Sequence, residues 1–98
     1  MSKVIRQVTN LNTTLTERGN RYGVFTGHAE VTQQLKQVVV NELAARDKTL
    51  AADQQEALDM IFHKIGRVIN GDPDYADSWV DIAGYAKLVA DRLEGLAQ

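Results

Sequence analysis

With 98 residues, 44% of them hydrophobic and 24% charged, the chain has the balance of one small globular domain spanning residues 1–98, not of a disordered segment. A formal net charge of −2 argues against the basic face of a protein that wraps a nucleic-acid backbone, so no nucleic-acid partner is expected. The absence of cysteine excludes disulfides, thiolate zinc sites and cysteine nucleophiles. No apolar run reaches signal-peptide or membrane-spanning length, so a cytoplasmic location without a membrane partner is expected.

Apolar residues recur at helical spacing throughout, and one proline, Pro73, interrupts the chain, which predicts an all-α, compact four-helix domain. The first helix is expected over about Ser2 to Arg18, with Val4, Ile5, Val8, Leu11 and Leu15 on one face. Gly19 to Gly27 reads as a glycine-rich loop, with Thr26 capping a second helix from His28 to about Arg46 that buries Val31, Leu35, Val38, Val39 and Leu43. After an Asp47-Lys48-Thr49 turn, a third helix is predicted from about Ala51 to Asn70, with a core stripe of Leu58, Ile61, Phe62, Ile65, Val68 and Ile69. Gly71 suits a left-handed C-terminal cap, and Asp72-Pro73 suits an N-cap followed by proline at the first helical position. The fourth helix then runs from about Pro73 to Leu96, burying Trp79, Ile82, Ala86, Val89 and Leu93, antiparallel to the third. So small a domain with such long apolar stripes is expected to form a homo-oligomer.

The polar faces of helices three and four carry the candidate chemistry. At 100° per residue, Glu56, Asp59, His63, Arg67 and Asn70 share a strip roughly 80° wide, and Asp77, Asp81, Gly84, Leu88 and Arg92 share another. Carboxylates three or four residues apart repel by a few tenths of a kcal/mol, and a cation between two such pairs would relieve this. Oxygen ligands of this kind suit Mg²⁺ or Mn²⁺, giving Glu56, Asp59, Asp77 and Asp81 as a metal set, with Lys64 and Arg67 placed to hold a phosphate chain. The plainer reading is a solvated face opposite an apolar stripe, with Asp53, Glu56 and Asp77 in first turns where they favour the helix dipole.

His28-Ala29-Glu30 copies half of a zinc-deaminase signature whose cysteines are missing, so that reading fails, and His63 reads as a hydrogen-bonding rim residue. Asp72-Pro-Asp74-Tyr-Ala-Asp77 lacks the glycine and terminal glutamate of a calcium loop. In Arg18-Gly-Asn-Arg21-Tyr22-Gly, the backbone N–H groups suit an anion and Tyr22 suits base stacking. Alternatively, Tyr22 and Phe25 plug the end of the bundle. Trp79 reads as core.

Glu-Arg-Gly-Asn-Arg-Tyr-Gly (17–23), Glu-Ala-Leu-Asp-Met-Ile-Phe-His-Lys-Ile-Gly-Arg-Val-Ile-Asn-Gly-Asp-Pro (56–73) and Asp-Ser-Trp-Val-Asp-Ile-Ala-Gly-Tyr-Ala (77–86) resemble blocks, in the same order, of a family of short uncharacterised phage and prophage proteins. More distantly, the chain is similar to the MazG-like all-α nucleoside triphosphate pyrophosphohydrolases, which hold Mg²⁺ between two acidic elements on successive helices. That resemblance implies metal ligation by Glu56-x-x-Asp59 and Asp77-x-x-x-Asp81, the second spaced by four where the enzymes have three.

Three functions follow. As an enzyme, the chain would be a metal-dependent nucleotide pyrophosphohydrolase, with Lys64, Arg67 and Arg21 on the phosphates. As a binding module, it would hold a nucleotide, including a signalling nucleotide, without turnover. As a non-enzymatic interaction protein, it would dock a host protein and its acids would be surface. Nucleotide handling is the reading preferred.

Overall fold

The computed structural model describes residues 2–96, with side chains from residue 11 onward. It is an all-α, compact domain of four helices: α1 (Ser2–Tyr22), α2 (Phe25–Ala45), α3 (Ala52–Asn70) and α4 (Ala76–Leu93). Val4, Ile5 and Val8 of the expected first apolar face lie outside the described side chains. No helix among the described residues is long and apolar enough to cross a membrane.

The largest departure from the sequence reading is between α1 and α2. Gly19 stays helical and accepts a backbone bond from Gly23 N–H at 2.9 Å. Gly23 and Val24 alone leave helical space here, Val24 as extended backbone and Gly23 with φ +78°, where a side chain would be strained. Thr26 therefore caps nothing: α2 starts at Phe25 behind Val24, whose side chain makes no capping bond. Asn70 closes the junction from α3, donating Nδ2–H to Tyr22 O at 3.0 Å and to Val24 O at 2.8 Å. The Asn70 side chain thus bridges the carbonyls on either side of Gly23 and ties the junction to α3.

The α3–α4 turn differs as well. Gly71 is not left-handed (φ −127°, ψ −130°); it is needed because a Cβ there would run into the backbone of Arg21 and Tyr22. Asp72 N–H donates to Arg21 O at 2.7 Å, so the turn is stitched to the end of α1. Asp72 Oδ1 accepts from Asp74 N–H at 2.9 Å, and this local turn delays α4 from Pro73 to Ala76.

Helices α3 and α4 form the expected antiparallel hairpin. Asp53 at the start of α3 takes a two-toothed bond from Arg92 at the end of α4, at 2.6 and 2.8 Å, and Lys64 meets Asp81 at 3.0 Å. Among the described residues α2 and α4 both pack on α3 and not on each other, so these three helices form a layer with α3 in the middle. Ala57 and Gly66 of α3 are buried at the two seams. Trp79 is not core: it is 54% exposed, and its Nε1–H donates to Pro73 O at 2.8 Å, which ties the indole to the turn beside it. Ala86 and Leu93 are exposed too, because that flank of α4, next to Ile82 and Val89, meets no neighbouring element among the described residues.

Candidate functional site

A cavity of about 470 Å³ opens where α1, the Gly23-Val24 turn, α2 and α3 converge. Helix α1 contributes Leu15, Arg18, Gly19 and Tyr22, whose spacing of three, four and seven residues puts them on one helical face. Val24 and Phe25 form an apolar lip, 72% and 76% exposed, so Phe25 does not plug the bundle end as expected, whereas Tyr22 is half-buried. His28 of α2 and His63 and Arg67 of α3 form the opposite wall. No carboxylate lines the cavity, and among the described residues neither Arg18 nor Arg67 is ion-paired.

The histidines touch. His28 Nε2 lies 3.1 Å from His63 Nδ1, so one ring donates to the other, and the ring centroids are 4.6 Å apart, edge to face. His28 is only 6% exposed and its Nδ1, buried without a hydrogen-bond partner, faces Gly66. A Cβ at Gly66 would stand 2.7 Å from Thr32 Cγ2 and 2.8 Å from His28 Nδ1, so glycine in mid-helix is what lets α2 and α3 approach here.

Both rings are held neutral. Burial, then the Arg67 charge, pushes His28 below its usual value, outweighing the Gly66 backbone. Burial pushes His63 down to about 4, helped by Arg67, His28, Lys64 and Lys36. The cavity is therefore electropositive through Arg18 and Arg67, while its histidines are uncharged. Arg67 also lies over the Tyr22 ring at 4.1 Å, a cation–π contact that fixes both side chains. The rim residue expected at position 63 is thus hydrogen-bonded, and its partner is a second histidine.

Of the residues singled out from sequence, Arg67 and Tyr22 line the cavity. Arg21 lies beside it, donating to the Tyr75 hydroxyl at 3.3 Å and stacking over that ring. Lys64 is turned the other way, onto Asp81. Among the described residues no three carboxylates or histidines are gathered closely enough to hold one metal ion. Asp59 accepts from Gln55 at 3.1 Å, Asp77 accepts from the Tyr75 hydroxyl at 3.0 Å, and Glu56 is exposed. The four carboxylates, as placed, do not fit a preformed Mg²⁺ or Mn²⁺ cage, and the two polar strips serve as seams between helices as much as solvated faces.

Sequence reasoning missed Leu15, Arg18 and His28 as site residues. Their helical spacing with Tyr22 was present in the sequence, but reading Gly19 as a helix breaker hid it. No curated protein and no solved structure matches the chain. The sequence profile of a domain of unknown function, DUF6378, matches residues 4–93. The chain therefore belongs to the DUF6378 family.

Proposed function

We propose that the chain is a small helical nucleotide-binding protein whose ligand enters the cavity between α1, α2 and α3. The observation that carries this reading is the pairing of apolar and cationic walls without a carboxylate. Tyr22, Phe25 and Leu15 offer flat apolar surface to a base, and Arg18 and Arg67 offer fork-shaped donors to phosphate oxygens. The volume of about 470 Å³ falls in the range of roughly 300–1,000 Å³ that small-molecule sites occupy. A neutral His63 suits the same ligand, because its Nε2, the ring nitrogen that does not meet His28, can hydrogen-bond a base edge without adding charge that must be desolvated.

Asp59 lies eight residues before Arg67 on the same strip of α3, about 12 Å along the helix. Acidic and cationic groups thus follow one another along one face, which is compatible with a nucleotide whose phosphates run from Arg67 toward the carboxylates. Hydrolysis with Mg²⁺ or Mn²⁺ would require Asp81 to leave Lys64, so binding is the function the geometry supports first.

Thermal-shift titration with nucleoside mono-, di- and triphosphates, with and without Mg²⁺ or Mn²⁺, tests the reading, followed by product analysis. A saturable rise in melting temperature that Arg67→Ala removes is expected. A metal-independent rise with no product identifies a binding module. Release of monophosphate and pyrophosphate, lost in Asp77→Ala, identifies the enzyme. No shift with any nucleotide overturns the proposal.

A further inference from the structure

The two histidines of the cavity differ in what surrounds them. His28 Nδ1 is buried against α3 at Gly66. Inside a helix each amide N–H is already donated four residues back, so Gly66, in the interior of α3, has only its carbonyl to offer the ring. Thr32, the other α2 residue against Gly66, turns its methyl group there and donates its hydroxyl to Ala29 O at 3.2 Å. No donor among the described residues therefore serves His28 Nδ1. The Gly66 carbonyl, though short of a full hydrogen bond, favours a proton on that nitrogen.

A neutral imidazole carries one proton, and this fixes the rest in order. With its proton on Nδ1, His28 can only accept at Nε2. His63 Nδ1, which faces that nitrogen at 3.1 Å, is then the donor. His63 is neutral as well, so its Nε2 carries a lone pair and no proton. That nitrogen has no hydrogen-bond partner among the described residues, and it is not sealed in as His28 Nδ1 is. His63 thus brings to the cavity a bare acceptor, held in that role by the docking of α2 on α3. Arg18 and Arg67, which share the lining, can only donate. Ligand oxygens are therefore drawn to the arginines, and a ligand N–H to His63.

We infer that the base of a bound nucleotide turns an exocyclic amino group to His63 Nε2, so that the site prefers the amino-bearing bases adenine and cytosine to their oxo counterparts hypoxanthine and uracil. This rests on the nucleotide reading above and adds to it a residue that determines specificity. The amino groups of adenine and cytosine donate, and no carbonyl stands beside them. Hypoxanthine and uracil put a carbonyl oxygen at the same place, where two acceptors would face each other unpaired. Their ring N–H lies next to that oxygen, so shifting the base to offer it keeps part of the repulsion. A site built to accept from a ligand N–H refuses the analogue that lacks it more firmly than an apolar wall can.

Two measurements on the full chain test this. Long-range proton–nitrogen magnetic resonance of the rings at about pH 7.5, without nucleotide, should show both histidines protonated at Nδ1 and bare at Nε2. Equilibrium titration with the 5′-mono- and triphosphates of adenosine, inosine, cytidine and uridine should then show the amino member of each pair binding about ten-fold tighter. In His63→Gln, whose amide can turn either a donor or an acceptor to the ligand, the difference should shrink to about two-fold or less. The tautomer is read on the wild type, so it decides even where the variant fails to fold. A proton on His63 Nε2 overturns the inference. So does equal binding of amino and oxo partners, or a preference that His63→Gln keeps in full. Binding of none of these nucleotides overturns the nucleotide reading, and this inference with it.

Discussion

The two sides of α3 use charge differently. Toward α4, each charged group that crosses the seam meets its opposite: Asp53 with Arg92, and Lys64 with Asp81. Toward α1 and α2, Arg67 meets an aromatic ring, and two histidines meet each other. Paired charges neutralise one another and fix helix register. Arginines beside neutral rings and apolar walls leave their hydrogen-bonding capacity to something that arrives from outside. One helix thus carries a structural seam and a receptive wall, and the chemistry of the partners tells them apart better than the residue types on α3 do.

The contrast is sharpened most strongly at Gly66. Its Cβ position is already occupied by Thr32 and His28, so Gly66→Val should push α2 off α3 and cost about 2–3 kcal/mol in urea unfolding. A substitution without effect would mean that the two helices are not in this contact. Next comes Arg67→Ala, which removes a charged donor from the cavity. Nucleotide affinity should fall about 10- to 100-fold, corresponding to roughly 1.5–3 kcal/mol for hydrogen bonds to a charged group. Fluorescence or calorimetric titration reads this directly, and unchanged affinity would remove Arg67 from the site.

A smaller effect is expected from pH. Both histidines have folded pKa values below their ordinary 6.5, and His63 lies at about 4. Between these values the unfolded chain takes up protons that the folded chain refuses. Stability is therefore full above about pH 6.5 and declines as pH falls toward about 4, by an amount on the order of 1 kcal/mol after solvent screening. Chemical denaturation across this range should show the slope, and His63→Gln should flatten it. The least effect belongs to the exposed seam. Arg92 holds Asp53 below its usual carboxylate range, but both groups face solvent, so Asp53→Ala should leave the melting temperature nearly unchanged and salt should erase what remains.

Much of the fold was legible because period and turn chemistry act locally. The 3.6-residue spacing from Leu58 to Ile69 reveals α3, and the single interruption at Gly71-Asp72-Pro73 reveals the hairpin. What failed was rotation and partnership. Gly19 stays helical because Gly23, four residues later, takes the left-handed turn and Asn70, from another helix, bridges both sides of it. No local rule carries that. Trp79 reads as core by size and spacing, yet it lies on a face without a neighbour in the single chain. The site was half legible: Arg67 and Tyr22 came from composition and spacing, whereas His28 and His63 become a pair only when α2 docks on α3.

The chain contains two histidines, and both line the cavity, so their ring signals report its occupancy without further labelling. The central test is nuclear magnetic resonance of those rings during titration with nucleoside mono-, di- and triphosphates. The account predicts saturable shifts of both rings with a common affinity, lost in Arg67→Ala. Nucleotide binding that leaves both rings unmoved, or no binding at all, would contradict it.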